Sequence, residues 1–321
     1  MLQNKLSWKF PPHVKIGFTF GLRVAIGSLV FCKRWRKWYY KAVHNMVVKK
    51  FPQLEERTGI HQRHFTADGH VIGLDVSGEF LEGGIDNSSS LFDLQHLQSL
   101  NLSCNCQVGN GFPIPPAIGK LTNLRYLNLS ITCYSGQVPY AITRLTRLVA
   151  LDLSGNYNFG YTQLKLYNPD LSTLVQSLTE FRELYLDGVT VSAWDTEWCQ
   201  AISSSLPNLR VLSLSACNLS GPIDQSLAKL QSLSVIRLDD NDLPVPLPGV
   251  FANFSNLSSL SLSSCLMRGT FPEELFRELL LSHNQFFGQL HECLDVSSYF
   301  VTLGLSFNNL EGLVPLSIYN F

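Results

Sequence analysis

The chain has 321 residues, 45% of them hydrophobic and 15% charged, and a formal net charge of −1. This composition excludes a disordered polypeptide, and the near-neutral balance excludes a protein that engages nucleic acid with its whole surface. Eight cysteines are scattered through it without a Cys-x-x-Cys pair, and Cys104-x-Cys106 has no partners at zinc spacing, so no metal site is expected.

Residues 1–13 form a short N-terminal stub. Val14 to Cys32, "VKIGFTFGLRVAIGSLVFC", is a mostly apolar run of 19 residues, the length of one transmembrane-like helix over 14–32. Lys15 can snorkel to its edge, whereas Arg23 falls mid-span, where a charge is costly. Gly17 and Gly21 make a GxxxG pair, the candidate helix-contact residues. The run lacks a small-residue cleavage motif behind it, so it does not read as a secretory signal. A basic block follows instead, Lys33 to Lys50, with seven Lys or Arg and no acid. Trp35, Trp38, Tyr39 and Tyr40 within it fit an interfacial aromatic belt. The whole of 33–68 is expected to be a basic juxtamembrane segment and linker. His61, His64 and His70 in and just after its polar end lack a carboxylate or thiolate to complete a ligand set, so they read as incidental.

Residues 69–321 repeat themselves. "LTNLRYLNLSITCYSGQVP" from Leu121, "LTRLVALDLSGN" from Leu145, "LPNLRVLSLSACNLSGPI" from Leu206, "LQSLSVIRLDDNDLPVPLP" from Leu230 and "FSNLSSLSLSSCLMRGTFP" from Phe254 share the pattern LxxLxxLxLxxNxLxGxxP. The N slot falls at Cys217, Asn241 and Cys265, 24 residues apart, and at Asn284 and Asn308, again 24 apart. This is a leucine-rich repeat, in about nine to ten copies. In xxLxLxx both leucines point to one side of a short strand. Stacked copies then share one continuous core that no single copy buries alone. The expected fold is an α/β-type repeat solenoid: a leucine-rich-repeat superhelix with a concave parallel β-sheet. Thr132, Cys217 and Cys265 occupy the N slot as small, partly polar groups and read as structural rather than reactive.

The copies are uneven. Inserts lie between Asn156 and Leu178 and between Ala193 and Leu206, where loops on one face are expected. Trp194 and Trp198 in the second insert read as packing residues ahead of binding ones. Cys199 beside them is left open, bridged or free. From Cys265 to Asn284 is only 19 residues, which predicts a pinch or local disorder near Pro272 to Arg277. The N-terminal cap reads as incomplete, and the final "NNLEGLVPLSIYNF" stops inside a repeat, as in a C-terminally truncated copy.

Side chains flanking the strand leucines should form columns on the concave face. One runs Asn101, Asn128, Asp152, Tyr185, Ser213, Arg237, Ser261; the next runs Ser103, Ser130, Ser154, Asp187, Ser215, Asp239, Ser263. Small serines permit close approach of a peptide. Charged and aromatic members anchor interfaces, so the ligand-binding candidates are Arg182, Tyr185, Asp187, Arg210, Arg237 and Asp239. Any one of them taken alone reads more readily as a solvated strand residue. Asn87, Asn101, Asn128, Asn218, Asn253 and Asn256 head N-x-[ST] sequons and are glycosylation candidates, although "NLS" is partly a by-product of the repeat. No nucleophile elbow, P-loop, HExxH or carboxylate pair appears, so no catalytic residues and no cofactor are expected.

"GHVIGLDVSGE", "RELYLDGV", "TEWCQAISSSLPNLRVLSLSACNLSGPIDQSLAKLQSLSVIRLDDNDL" and "FANFSNLSSLSLSSC" resemble plant leucine-rich-repeat receptor-like proteins, specifically the Verticillium wilt disease resistance group. The resemblance runs from about Gly69 to Phe321. The LxGxxP variant resembles the plant extracellular class, which implies an extra short strand after each main one and a twisted solenoid. "GFTFGLRVAIGSLVFCKRWRKWYYK" resembles the membrane anchor and short cytoplasmic tail of the same family, which there comes last. The expectation is therefore a joint between the tail of one receptor and the front of another copy. The family implies repeats outside the plasma membrane, an extracellular protein or peptide ligand, and signalling through a partner receptor kinase. The positive-inside rule, taken alone, puts the repeats on the cytoplasmic side of the basic block. That supports a membrane-tethered or cytoplasmic scaffold as the other reading. A module that blocks a secreted enzyme, or a non-functional receptor fragment, also remains open.

Overall fold

A computed structural model describes residues 63–65, 69–79, 81, 85–109, 111–155, 163–192, 197–243, 246, 249–270, 278–290 and 302–313. The transmembrane-like helix, Gly17, Gly21 and the basic block all lie outside these residues, as does the pinch expected near Pro272 to Arg277. Among the described residues no helix is long and apolar enough to cross a membrane.

In chain order the strands are Arg63–Phe65 (β1), Val71–Asp75 (β2), Ser99–Asn101 (β3), Tyr126–Asn128 (β4), Gly136–Gln137 (β5), Ala150–Asp152 (β6), Leu164–Leu166 (β7), Glu183–Tyr185 (β8) and Thr190–Val191 (β9). They continue as Val211–Ser213 (β10), Val235–Arg237 (β11), Ser259–Ser261 (β12), Arg268–Thr270 (β13), Glu278–Leu280 (β14), Gln285–Gln289 (β15), Thr302–Gly304 (β16) and Asn309–Glu311 (β17). Helices cover Cys106–Gly109 (α1), Leu171–Ser177 (α2) and Glu197–Ser205 (α3). Eleven strands form the main sheet in the order β1-β2-β3-β4-β6-β8-β10-β11-β12-β14-β16.

The register follows the repeat. Leu212 sits opposite Leu184 and Ile236, and Ile236 opposite Leu260, in parallel pairs. Leu212, Leu214, Leu260 and Leu262 are all 0% exposed. One coil's leucines are covered by the next coil's, so the core is a single column of aliphatic side chains, as the spacing predicted. Strand β1 reverses the rule and runs antiparallel to β2. The stretch read as a polar linker thus supplies a strand along the front of the sheet. Its backbone finds an amide ladder there, and pairing an edge removes the exposed groups that invite another chain.

Behind the core run two smaller parallel sheets, β5-β7-β9 and β13-β15-β17. Isolated bridges from Ser220 to Asp242 and from Pro246 to Arg268 extend the same layer between them. The extra strand that the family resemblance implied is therefore present. Short 3-10 turns complete the ordinary coils. Pro115 and Pro139 precede two of them, Pro116–Lys120 and Tyr140–Arg144, with backbone already set near the φ that such a turn requires.

Turn geometry after the main strand repeats as closely as the leucines. Cys104, Ile131, Ala216, Asp240, Ser264, His283 and Phe307 all have φ between 53° and 57°, at the second position after an inward leucine. Glycine does the same work at Gly155 and Gly188. At Gly155 a side chain is doubly excluded, because an added Cβ would lie 2.9 Å from Ile131 Cγ1.

In their described residues the inserts are not the loops expected from their sequence: the first forms β7 and α2, and the second forms α3. In the first insert Asp170 caps α2 by accepting the Thr173 N–H at 2.7 Å. In the second, α3 buries Trp198 and Cys199 completely, so Trp198 is a packing residue; Trp194 lies outside the described residues. Helices α2 and α3 pack against one another, and α3 packs against the 3-10 turn Gln225–Lys229.

The short copy keeps its ladder. Strand β12 pairs in register with β14, Ser259 opposite Glu278, although 19 residues separate them. Behind the core Arg268 pairs with Gln285. The missing residues therefore come out of the connection between Thr270 and Glu278 alone.

Candidate ligand-binding face

Alternation along each strand sends every second side chain out of the main sheet. Parallel register stacks these positions into rows, and the two rows read from the sequence are present. A third row lies at the strand starts and holds Tyr126, 49% exposed. It is the largest side chain standing free on this part of the face, and the sequence reading passed over it. Its signal was available, one position before the first strand leucine.

The rows also hold the fold together. In the first four coils the Asn or Asp of the middle row accepts the N–H of the serine two residues on. Ser77 donates to Asp75 at 2.9 Å, Ser103 to Asn101 at 3.0 Å, Ser130 to Asn128 at 2.9 Å and Ser154 to Asp152 at 3.0 Å. Further on the middle row carries Ser213 and Ser261, which cannot reach in this way. The acceptor then comes from one coil earlier. Asp187 accepts the Ser215 N–H at 2.8 Å and the Ser213 hydroxyl at 2.7 Å. Asp239 accepts the Ser263 N–H at 2.7 Å and the Ser261 hydroxyl at 2.5 Å.

The six predicted contact residues divide accordingly. Asp187 and Asp239 are half-buried clasps between coils. Burial pushes the Asp187 carboxyl above its usual range, and the Asp239 charge adds to this, against the Ser213 and Ser215 hydrogen bonds and the Arg237 charge. Tyr185 is buried at 7% exposure and its hydroxyl donates to Glu183 at 3.1 Å. Arg237 is half-buried close enough to Asp187 to act on its charge. Arg182 and Arg210 are exposed and stand side by side just before β8 and β10, the Arg210 N–H donating to the Arg182 carbonyl at 2.7 Å.

The N slot behaves as its chemistry predicts. Asn241 donates to Leu214 and Leu238 carbonyls at 2.8 Å each and accepts the Cys217 and Leu219 N–H groups. Cys217 and Cys265 place thiols where the amide would be, donating to the Leu186 and Leu238 carbonyls at 3.1 Å. Burial pushes both thiols up, Cys265 to about 12, which makes them unreactive. Thr132 donates to the Leu129 carbonyl at 2.6 Å. Cys199 is a free buried thiol, also pushed up by burial to about 12.

Cys106 and Cys133 form a disulfide across 27 residues of sequence, joining α1 to the following coil. Spacing gave no hint of it, because eight cysteines allow many pairings. Among the sequon asparagines, Asn87, Asn218, Asn253 and Asn256 are exposed. Asn101 and Asn128 are half-buried in the middle row, and the Asn101 amide nitrogen is held by Asp75 at 3.0 Å. His70 is exposed and stacks on His96 with ring centroids 4.0 Å apart, and no group of metal-binding side chains occurs among the described residues.

The sequence profile of the Leucine Rich Repeat family matches residues 208–230. Receptor-like protein 6 of Arabidopsis thaliana is 36% identical over 213 residues, 65% of this chain and 21% of that protein. Receptor-like protein EIX1 of Solanum lycopersicum is 31% identical over 67% of this chain and 21% of its own length. The chain thus spans about a fifth of the length of these relatives. The ectodomain of the Arabidopsis receptor kinase HAESA, solved with an N-terminally extended IDA peptide hormone, superposes with a TM-score of 0.62 at 25% identity, over 79% of this chain and 45% of that one. A plant ice-binding protein superposes with a TM-score of 0.58, also at 25% identity, over 78% of this chain and 76% of that one. One fold therefore carries different tasks, and the face decides between them.

Proposed function

The chain belongs to the plant leucine-rich-repeat receptor-like proteins, and on that premise we propose that its repeats recognise an extracellular peptide or protein as part of a cell-surface immune receptor. The observation that carries this reading is the outward face of the main sheet. Serines in two adjoining rows leave space for a peptide backbone to lie close, and Tyr126, Arg182 and Arg210 border that space as exposed anchors. Asp187, Asp239 and Tyr185 shape the floor through their hydrogen bonds and present little free surface. The HAESA ectodomain, of the same fold, was solved holding a peptide. A partner receptor kinase would carry the signal onward.

The Cys106–Cys133 bridge supports an extracellular position for the repeats, since disulfides persist in oxidising compartments. It weighs against the scaffold reading drawn from the basic block. The test is a photo-crosslinking side chain placed at Ser215, on the face, and at Thr270, on the rear sheet, in protein expressed in plant tissue. Capture of an extracellular peptide or protein from Ser215 and not from Thr270 is the expected result. Equal capture from both, or capture of cytoplasmic proteins together with reduced Cys106 and Cys133, would overturn it in favour of the scaffold.

A further inference from the structure

The cations of the repeats are not spread evenly. Lys120, Arg125, Arg144, Arg147, Arg182, Arg210 and Lys229 are all exposed and all lie on one flank, from the ends of the rear turns to the starts of the main strands. On the face Asp187, Asp239 and Asp240 lie at the opposite strand ends, whereas half-buried Glu183 and Glu278 stand at strand starts, where they accept from Tyr185 and Ser259. On the basic flank Glu180 is an exposed acid among the cations, and Asp93 stands one coil in front of Lys120.

The order along this flank is regular. Arg125, Arg182 and Arg210 occupy the same position of the repeat, immediately before β4, β8 and β10. The Arg125 carbonyl accepts the Val149 N–H at 2.7 Å, Val149 accepts from Arg182, and Arg182 accepts from Arg210, so the three belong to four consecutive coils at a sheet spacing of about 4.8 Å. Arg147 fills the interval at the next position outward and donates to Asn123 at 2.8 Å. Exposed Thr122, Thr146, Asn208 and Gln231 are interspersed with the cations.

We propose that this flank binds a linear polyanion, specifically an acidic polysaccharide lying along the solenoid axis. Protein interfaces set their arginines around an aromatic and aliphatic centre. This strip carries its cations without such a centre, Tyr126 being its one large exposed aromatic among the described residues. Cations repeated from coil to coil suit a polymer with evenly repeated carboxylates, and the small polar side chains between them suit its hydroxyls. Tyr126 offers a ring face for the apolar side of a sugar. The strip adjoins the peptide-binding face proposed above and shares Tyr126, Arg182 and Arg210 with its border, but it requires no bound peptide, so it stands whether or not that reading does.

The experiment measures binding of the full chain to unesterified polygalacturonate, with fully methyl-esterified polygalacturonate as the uncharged counterpart and with polyglutamate and duplex DNA as other polyanions. The expected result is retention on the unesterified polymer that weakens steeply between low and moderate salt, as counterion-driven binding does. It should fall at least tenfold in an Arg125→Glu, Arg182→Glu, Arg210→Glu triple variant. The control Arg268→Glu, on the rear sheet, should leave it unchanged. Far-ultraviolet circular dichroism of both variants checks that the coils remain folded, and Arg→Gln at the same three positions supplies a milder set if charge reversal disturbs them. Equal retention on the esterified polymer, or an undiminished triple variant, would overturn the proposal. Tighter binding to polyglutamate or to DNA through the same arginines would overturn it in favour of an acidic protein or a nucleic acid.

Discussion

Asp187 shows how a residue chosen for its charge can serve the fold. Its oxygens hold a backbone N–H and a hydroxyl of the next coil, and removal leaves the Ser215 N–H without its acceptor. Asp187→Ala should cost about 1–3 kcal/mol in urea unfolding. Asp187→Asn keeps an acceptor and discards a buried charge, and is expected to match or exceed the parent. The sign of the pH effect follows from the raised carboxyl. The folded state holds this proton more tightly than the unfolded chain, so stability from this group is greatest below the usual carboxylate range. It declines as pH rises through the interval up to the folded value. Parent and Asp187→Asn should therefore differ more at about pH 7 than at about pH 3.5, and a constant difference would contradict the assignment. Asn241 gives a second residue-scale expectation. Asn241→Ala strands two coils' backbone groups, at about 2 kcal/mol or more, whereas Asn241→Cys should lose less, because Cys217 and Cys265 show that a thiol reaches the same carbonyl.

Among the elements, the inserts and the bridge carry stability that the repeat itself does not encode. Helix α3 packs Trp198 at 0% exposure, and Trp198→Ala should cost about 3–5 kcal/mol, read as a lowered unfolding midpoint. Replacing both Cys106 and Cys133 by Ser should cost about 3.5 kcal/mol by the loop-closure relation for a 27-residue separation. Mass spectrometry of unreduced peptides checks that the bond was present. The connection after β13 is the converse case. Because both ladders stay in register across it, a short insertion between Thr270 and Glu278 that restores the period should be accepted with little change in stability.

For the molecule as a whole, a solenoid is held by each coil's contact with its neighbours. Local packing therefore predicts local opening. Leu212, Ile236 and Leu260 lie fully buried through β10 to β12, whereas Leu303, Leu305 and Leu310 are only half-buried around β16 and β17. Hydrogen exchange should be slowest in β8 to β12 and fastest in β16 and β17. Uniform protection would mean that the array opens as one unit.

The leucine phase, the parallel sheet, the thiols of the N slot and the two serine rows were legible in the amino-acid sequence, because each depends on a period that stacking only repeats. What needed the tertiary structure was everything that crosses from one coil to another out of phase. The Cys106–Cys133 bond and the pairing of β1 with β2 join residues whose separations match no simple pattern, and the Asp187 and Asp239 clasps depend on which polar atoms the packed coils bring together. The exposure of Tyr126 in a row that is half-buried on either side of it, and the one-sided flank of arginines, belong with them, since a side chain's use depends on what its neighbours in the adjoining coils leave open. Periodicity specifies which side chains share a core; only the packed coils determine which polar groups are spent on holding it and which remain free to meet a partner.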